Sequence, residues 1–144
     1  MIIGIGNEDR GDDGIGARVV RRIAELRPDL ETRILRADGL SLLDAWTGAE
    51  TVVLVDAVQA GGRAGSVVRF DATEHSVPYA AHASTHGLGV AEAIELGRSL
   101  GKLPQRLVFI GVEGSHFDLG SPPSPPVADS VEEAIRRVLE EVGT

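Results

Sequence analysis

Apolar and polar positions follow two rhythms along this chain, and the switches between them predict its elements. Met1 to Ile5 is a short apolar run that reads as a buried strand. Ile15, Val19, Val20, Ile23 and Leu26 then recur at helical spacing, with Arg18, Arg21, Arg22 and Glu25 between them. Pro28 closes that helix. Thr32 to Leu35 predicts a second strand, and Ser41 to Trp46 a short helix after Asp38-Gly39. Thr51 to Val55 is a continuous β-branched run, the pattern of a strand buried on both faces, and it ends at Asp56. After a glycine-rich turn from Gly61 to Gly65, Ser66 to Phe70 predicts a fourth strand. The link between these two strands is only about ten residues and has no helical pattern, too short for a crossover, so antiparallel pairing is expected there. Leu88 to Leu100 is helical, with Val90, Ala93, Ile94 and Gly97 on one face; its small residues are expected to let it sit close to the sheet. Arg106 to Gly111 is a fifth strand. Gly120 to Pro126 reads as an irregular proline-rich loop, and Val131 to Val142 as an amphipathic closing helix.

Strands alternating with helices imply an α/β protein with a mostly parallel sheet covered on both sides. No repeat or linker divides the chain, so one domain over residues 1–144 is expected.

Composition narrows the function classes. The 144 residues are 42% hydrophobic with few aromatics, enough for a core of Val, Ile, Leu and Ala. There is no cysteine, which excludes disulfides, thiolate metal sites and a cysteine nucleophile, and suits the cytoplasm. The first residues lack a basic leader, and no segment reaches the length of a bilayer span, so neither a signal peptide nor a membrane anchor is expected. The formal net charge of −8 argues against nucleic acid and anionic membranes. A cation or a basic protein segment is the better electrostatic match, although acidity also simply keeps proteins soluble.

Gly4 to Gly16 follows a strand and opens a helix, where dinucleotide-binding folds place a phosphate turn. Position 9 is Asp, so G-x-G-x-x-G is broken, and Glu8, Asp9, Asp12 and Asp13 would repel phosphates. The same carboxylates suit a cation. Adjacent acids before a helix are also ordinary caps; Asp12 is assigned the structural role and Asp13 the site. Asp56 lies at the carboxyl end of a central strand, the edge where open α/β sheets bind ligands, though a capping Asp in the next turn reads the same way. Asp38 is a third acid on that edge and also part of an ordinary Asp-Gly turn. His86 begins the Leu88 helix in register with Val90 and Ile94, so it is expected to point inward. An inward histidine is commonly a hydrogen-bonded core residue; beside two carboxylates it completes a nitrogen/oxygen set suited to zinc or nickel. His75, His82 and His116 are weaker candidates. G-x-S-x-G and H-E-x-x-H are both absent, which removes the serine hydrolase and zincin readings.

Gly4-Ile5-Gly6-Asn7 followed by Asp12-Asp13-Gly14-Ile15-Gly16 resembles the N-terminal signature of the hydrogenase maturation endopeptidases. The resemblance continues through Ala37-Asp38-Gly39, Val53-Leu54-Val55-Asp56-Ala57, Ser84-Thr85-His86, Phe109-Ile110-Gly111-Val112 and the closing helix, essentially the whole chain. It implies a five-stranded, three-layer fold, to which the short link between the third and fourth strands adds the expectation of one antiparallel strand. It also implies an enzyme that removes the C-terminal extension from the large-subunit precursor of [NiFe] hydrogenase after nickel insertion. Carried over, Asp13, Asp56 and His86 bind metal, and nickel arrives in the precursor as the recognition element; as a working hypothesis beside that set, Asp38 orients water or a substrate backbone group. Asp9 departs from the family, many members of which have Leu or Met there. A non-catalytic, nickel-sensing chaperone of hydrogenase assembly is the alternative; a small-molecule or nucleotide enzyme is disfavoured by the acidic loop.

Overall fold

The computed structural model describes residues 1–36, 38–75 and 89–143. Five strands, β1 (Ile2–Ile5), β2 (Thr32–Leu35), β3 (Thr51–Val58), β4 (Val67–Asp71) and β5 (Arg106–Glu113), form one sheet in the order β2-β1-β3-β5-β4. All neighbours are parallel except β4 against β5. The helices are α1 (Ile15–Leu26), α2 (Gly39–Trp46), α3 (Val90–Leu100), α4 (Pro125–Asp129) and α5 (Val131–Glu141), with one turn of 3-10 helix at Gly11–Gly14.

Side-chain alternation along the strands builds two cores. Ile3, Ile5, Leu54, Leu107 and Phe109 pack with Leu42 and Trp46 of α2 and Ala93 and Ile94 of α3. Ile2, Val53, Val55, Val108 and Ile110 pack with Val19 and Ile23 of α1 and Ile135 and Val138 of α5. The result is the expected three layers.

The structure corrects several local expectations. Strands β3 and β4 do run in opposite directions, but they are not neighbours, because β5 lies between them. The reason is burial: β5 is covered almost along its whole length and needs a partner on each side, whereas β4 is only half covered and suits an edge. β3 does not stop at Asp56; it runs on to Val58 alongside β5, which itself extends to Glu113. Leu26, at the end of α1, is exposed rather than in the core. Gly97 makes room for α2 and the following turn rather than the sheet, since a Cβ there would meet Leu43 and Leu103 at 3.0 Å. The loop at Gly120–Pro126 gives way to helix at Pro125, where proline suits the first helical turn because the N–H it lacks would have no intrahelical partner.

Candidate functional site

The strand order reverses between β1 and β3, and ligands of open α/β sheets sit outside the carboxyl ends of the strands at such a point. Gly4 pairs with Val55, so Asp56 stands level with the last residue of β1. Beyond that level β3 has only β5 beside it, and the first loop lies over the opened edge.

Asp56 is 1% exposed. Its Oδ1 accepts the N–H of Ala57 at 2.8 Å, while its Oδ2 is buried without a hydrogen-bond partner. Burial pushes the Asp56 carboxyl well above its ordinary range, the negative charge of Asp13 pushes the same way, and the Ala57 N–H only partly offsets them. Two carboxylates close enough to feel each other, one with a free buried oxygen, are the arrangement that a cation relieves.

Asp13 is half-buried, and its Oδ2 accepts the N–H of Asn7 at 2.9 Å. That bond requires the chain to fold back at Gly6, whose φ of +131° favours glycine; a Cβ there would stand 1.9 Å from the Asp13 carbonyl oxygen. Asn7 Oδ1 accepts from the Asp9 N–H at 2.9 Å and tightens the same loop.

Asp12 is structural, but it is not a helix cap. Its side chain is fully buried and reaches away from α1 to the segment after β5. Burial raises its carboxyl, but the N–H groups of Ser115, His116 and Ser124, with the Ser124 hydroxyl, together hold it below its ordinary value. Asp38 is exposed and caps α2: Oδ1 accepts the Leu40 N–H at 3.1 Å and Oδ2 the Ser41 hydroxyl at 2.9 Å. His116 is exposed, with Nδ1 2.9 Å from Ser115 Oγ. His75 packs edge-on to Phe70, at 6.5 Å between ring centres. His82 and His86, with Ser84 and Thr85, lie outside the described residues. Among the described residues no group of three acid or histidine side chains is placed to hold a metal. The structure therefore brings Asp13 and Asp56 together and leaves Asp38 on a helix cap.

Sequence reasoning did not single out Ser115, Ser124 or Glu113. Glu113 is buried at the end of β5 and accepts from the N–H groups of Ala60 and Gly62, fixing the turn after β3. The signal for it was the acid closing an apolar strand, the same pattern that marked Asp56.

Fold and site thus define an α/β protein with a cation-suited carboxylate pair at its topological switch point. Residues 19–141 match the family model described as hydrogenase maturation protease. The hydrogenase expression/formation protein HupD of Rhodobacter capsulatus is 31% identical over 99% of this chain and 70% of its own length. The hydrogenase 2 maturation protease of Escherichia coli K12 is 25% identical over 96% of this chain and 87% of its own. Among solved structures, the hydrogenase maturating endopeptidase HybD of E. coli superimposes with a TM-score of 0.75 at 25% identity, covering 99% of this chain and 92% of that one. The [NiFe] hydrogenase maturation protease HybD of Thermococcus kodakarensis gives 0.72 at 26% identity over 99% and 97%. This chain belongs to the hydrogenase maturation protease family: it is a peptidase of hydrogenase maturation. Among the described residues no helix is long and apolar enough to cross a membrane.

Proposed function

We infer that this enzyme removes the C-terminal extension of a nickel-loaded [NiFe] hydrogenase large-subunit precursor, in the cytoplasm. The observation that carries the reading is the buried, unpartnered Oδ2 of Asp56 beside a second carboxylate, Asp13. Burying an acid with one oxygen unsatisfied costs stability and is retained where function uses it. Nickel belongs to the substrate here. Asp13 and Asp56, with His86 as the third ligand implied by the family resemblance, engage it when the precursor docks.

Each residue has a separable part. The Asn7 N–H holds Asp13 Oδ2 and so aims its carboxylate. Burial and the charge of Asp13 both disfavour the ionised Asp56 carboxyl, and a cation held beside it would offset that cost. A metal held by these residues would supply Lewis acidity, the usual metal contribution to hydrolysis. Hydrolysis of the scissile amide would place the hydroxyl of one water on the carbonyl carbon and the water's other proton on the departing amine, with Asp13 and Asp56 fixing the metal centre beside the bond. Asp38, committed to the α2 cap through both oxygens, contributes by holding that helix rather than by touching substrate.

The test is cleavage of purified nickel-loaded precursor in vitro. Asp13→Ala, Asp56→Ala and His86→Ala are each expected to abolish the shortened product while circular dichroism stays unchanged. Normal cleavage by all three would overturn the reading. Binding without cleavage by the wild-type chain would favour the non-catalytic chaperone.

A further inference from the structure

Both carboxylate oxygens of Asp12 are hydrogen-bonded, and none of its side-chain bonds serves its own helical turn. Oδ1 accepts from the Ser124 N–H at 2.7 Å and from the Ser124 hydroxyl at 3.0 Å. Oδ2 accepts from the N–H groups of Ser115 and His116 at 2.8 and 3.0 Å, and lies 2.9 Å from Ser124 Oγ. Its own N–H donates to the His116 carbonyl at 2.8 Å. A second strap runs beside it, from the Gly120 N–H to the Asp9 carbonyl at 2.7 Å. The segment from Ser115 to Ser124 is therefore sewn onto the first loop, and Asp12 is the main stitch.

The neighbouring residue is Asp13, which points the other way and meets the Asn7 N–H. Consecutive side chains on one short turn cannot move independently, since Gly11–Gly14 is a single turn of tight helix. Fixing Asp12 against a separate segment fixes the backbone from which Asp13 projects. The surroundings leave little slack: a Cβ on Gly114 would lie 2.9 Å from Asp12 Cβ, and one on Gly11 2.4 Å from the His116 carbonyl oxygen. We propose that Asp12 is the positioning residue of the site, using the Ser115–Ser124 segment as a fixed frame that aims the Asp13 carboxylate. The effect on processing rests on the function proposed above; the geometric claim does not.

The experiment compares the isotope-labelled full chain with Asp12→Asn and Ser124→Ala by amide nuclear magnetic resonance, together with precursor cleavage and thermal melting. The Asn7 amide resonance reads the bond to Asp13. If Asp12 aims Asp13, Asp12→Asn shifts the Asn7 resonance and speeds its hydrogen exchange. Cleavage then falls in kcat by about tenfold to a hundredfold, as expected for a displaced catalytic group, with KM little changed. Ser124→Ala, which keeps the backbone donors, gives smaller changes in the same direction and keeps the chain foldable if Asp12→Asn does not. An Asn7 resonance unmoved in a folded variant, with only the melting temperature lowered, would overturn the proposal, because Asp12 would then hold the segment and nothing more. Should the wild-type chain cleave no precursor, the functional reading fails while the Asn7 resonance still decides the role of Asp12.

Discussion

Gly16 and Val55 touch backbone to backbone: a Cβ placed on Gly16 would stand 2.3 Å from the Val55 carbonyl oxygen. The first turn of α1 thus lies directly on β3, one residue before Asp56, and this contact fixes the distance between the first loop and the strand. Gly16→Ala cannot be accommodated without lifting the helix. It is expected to cost about 3 kcal/mol or more, at the upper end of overpacking effects. Urea denaturation would measure that loss, and precursor cleavage should fall with it even in the folded fraction.

Asp56→Asn removes the buried charge while keeping the shape. Folded Asp56 holds its proton more tightly than the unfolded chain does. Its contribution to stability is therefore full below the ordinary carboxyl value of 3.8 and drains away as pH rises through the folded value. The asparagine variant is expected to be more stable than wild type at pH 8 by about 1–3 kcal/mol, and to lose that advantage toward pH 4. Parallel denaturation series across that range check the sign, and cleavage by the variant should be lost.

Asp12 predicts the opposite slope. Its folded carboxyl lies below the ordinary value, so its stabilisation is present above 3.8 and disappears as acid takes the pH down through the folded value. Asp12→Asn should flatten the acid limb of the stability curve, where wild type loses stability.

Asp38 separates cap from chemistry. Asp38→Ala is expected to lower the melting temperature by a few degrees, whereas Asp38→Ser, which still caps, should restore most of it. Cleavage should follow the melting temperature. Loss of cleavage by the serine variant at full stability would instead give Asp38 the substrate-orienting role expected from its place on the sheet edge.

Glu113→Ala leaves the N–H groups of Ala60 and Gly62 without their acceptor. A cost of about 2 kcal/mol is expected for donors left unpaired, with faster exchange at both amides as the direct readout.

The sheet and helices were legible because their signals are local. A short run rich in β-branched residues such as Thr51 to Val55 reads as a buried strand, and the spacing of Val19, Val20 and Ile23 as a helix face. Pairing was less legible: nothing in residues 51–71 says that Leu107 to Val112 will insert between the two strands, because that choice is made by burial over a long sequence separation. Within the site, Asp13 and Asp56 could be picked out as acids ending or following apolar runs at one sheet edge. The division of labour between Asp12 and Asp13 was guessed in outline, but the partners of Asp12 were invisible. Ser115 and Ser124 are ordinary loop serines until the fold brings them to a carboxylate on the far end of the chain.

That separation sets a schedule. The donors to Asp12 lie 103 to 112 residues further along than Asp12 itself. On a ribosome adding about 5–20 residues per second, the first loop waits roughly 5–20 seconds for them. A chain that stopped short of Ser115 would lack every donor to the Asp12 carboxylate and leave that buried acid without its partners.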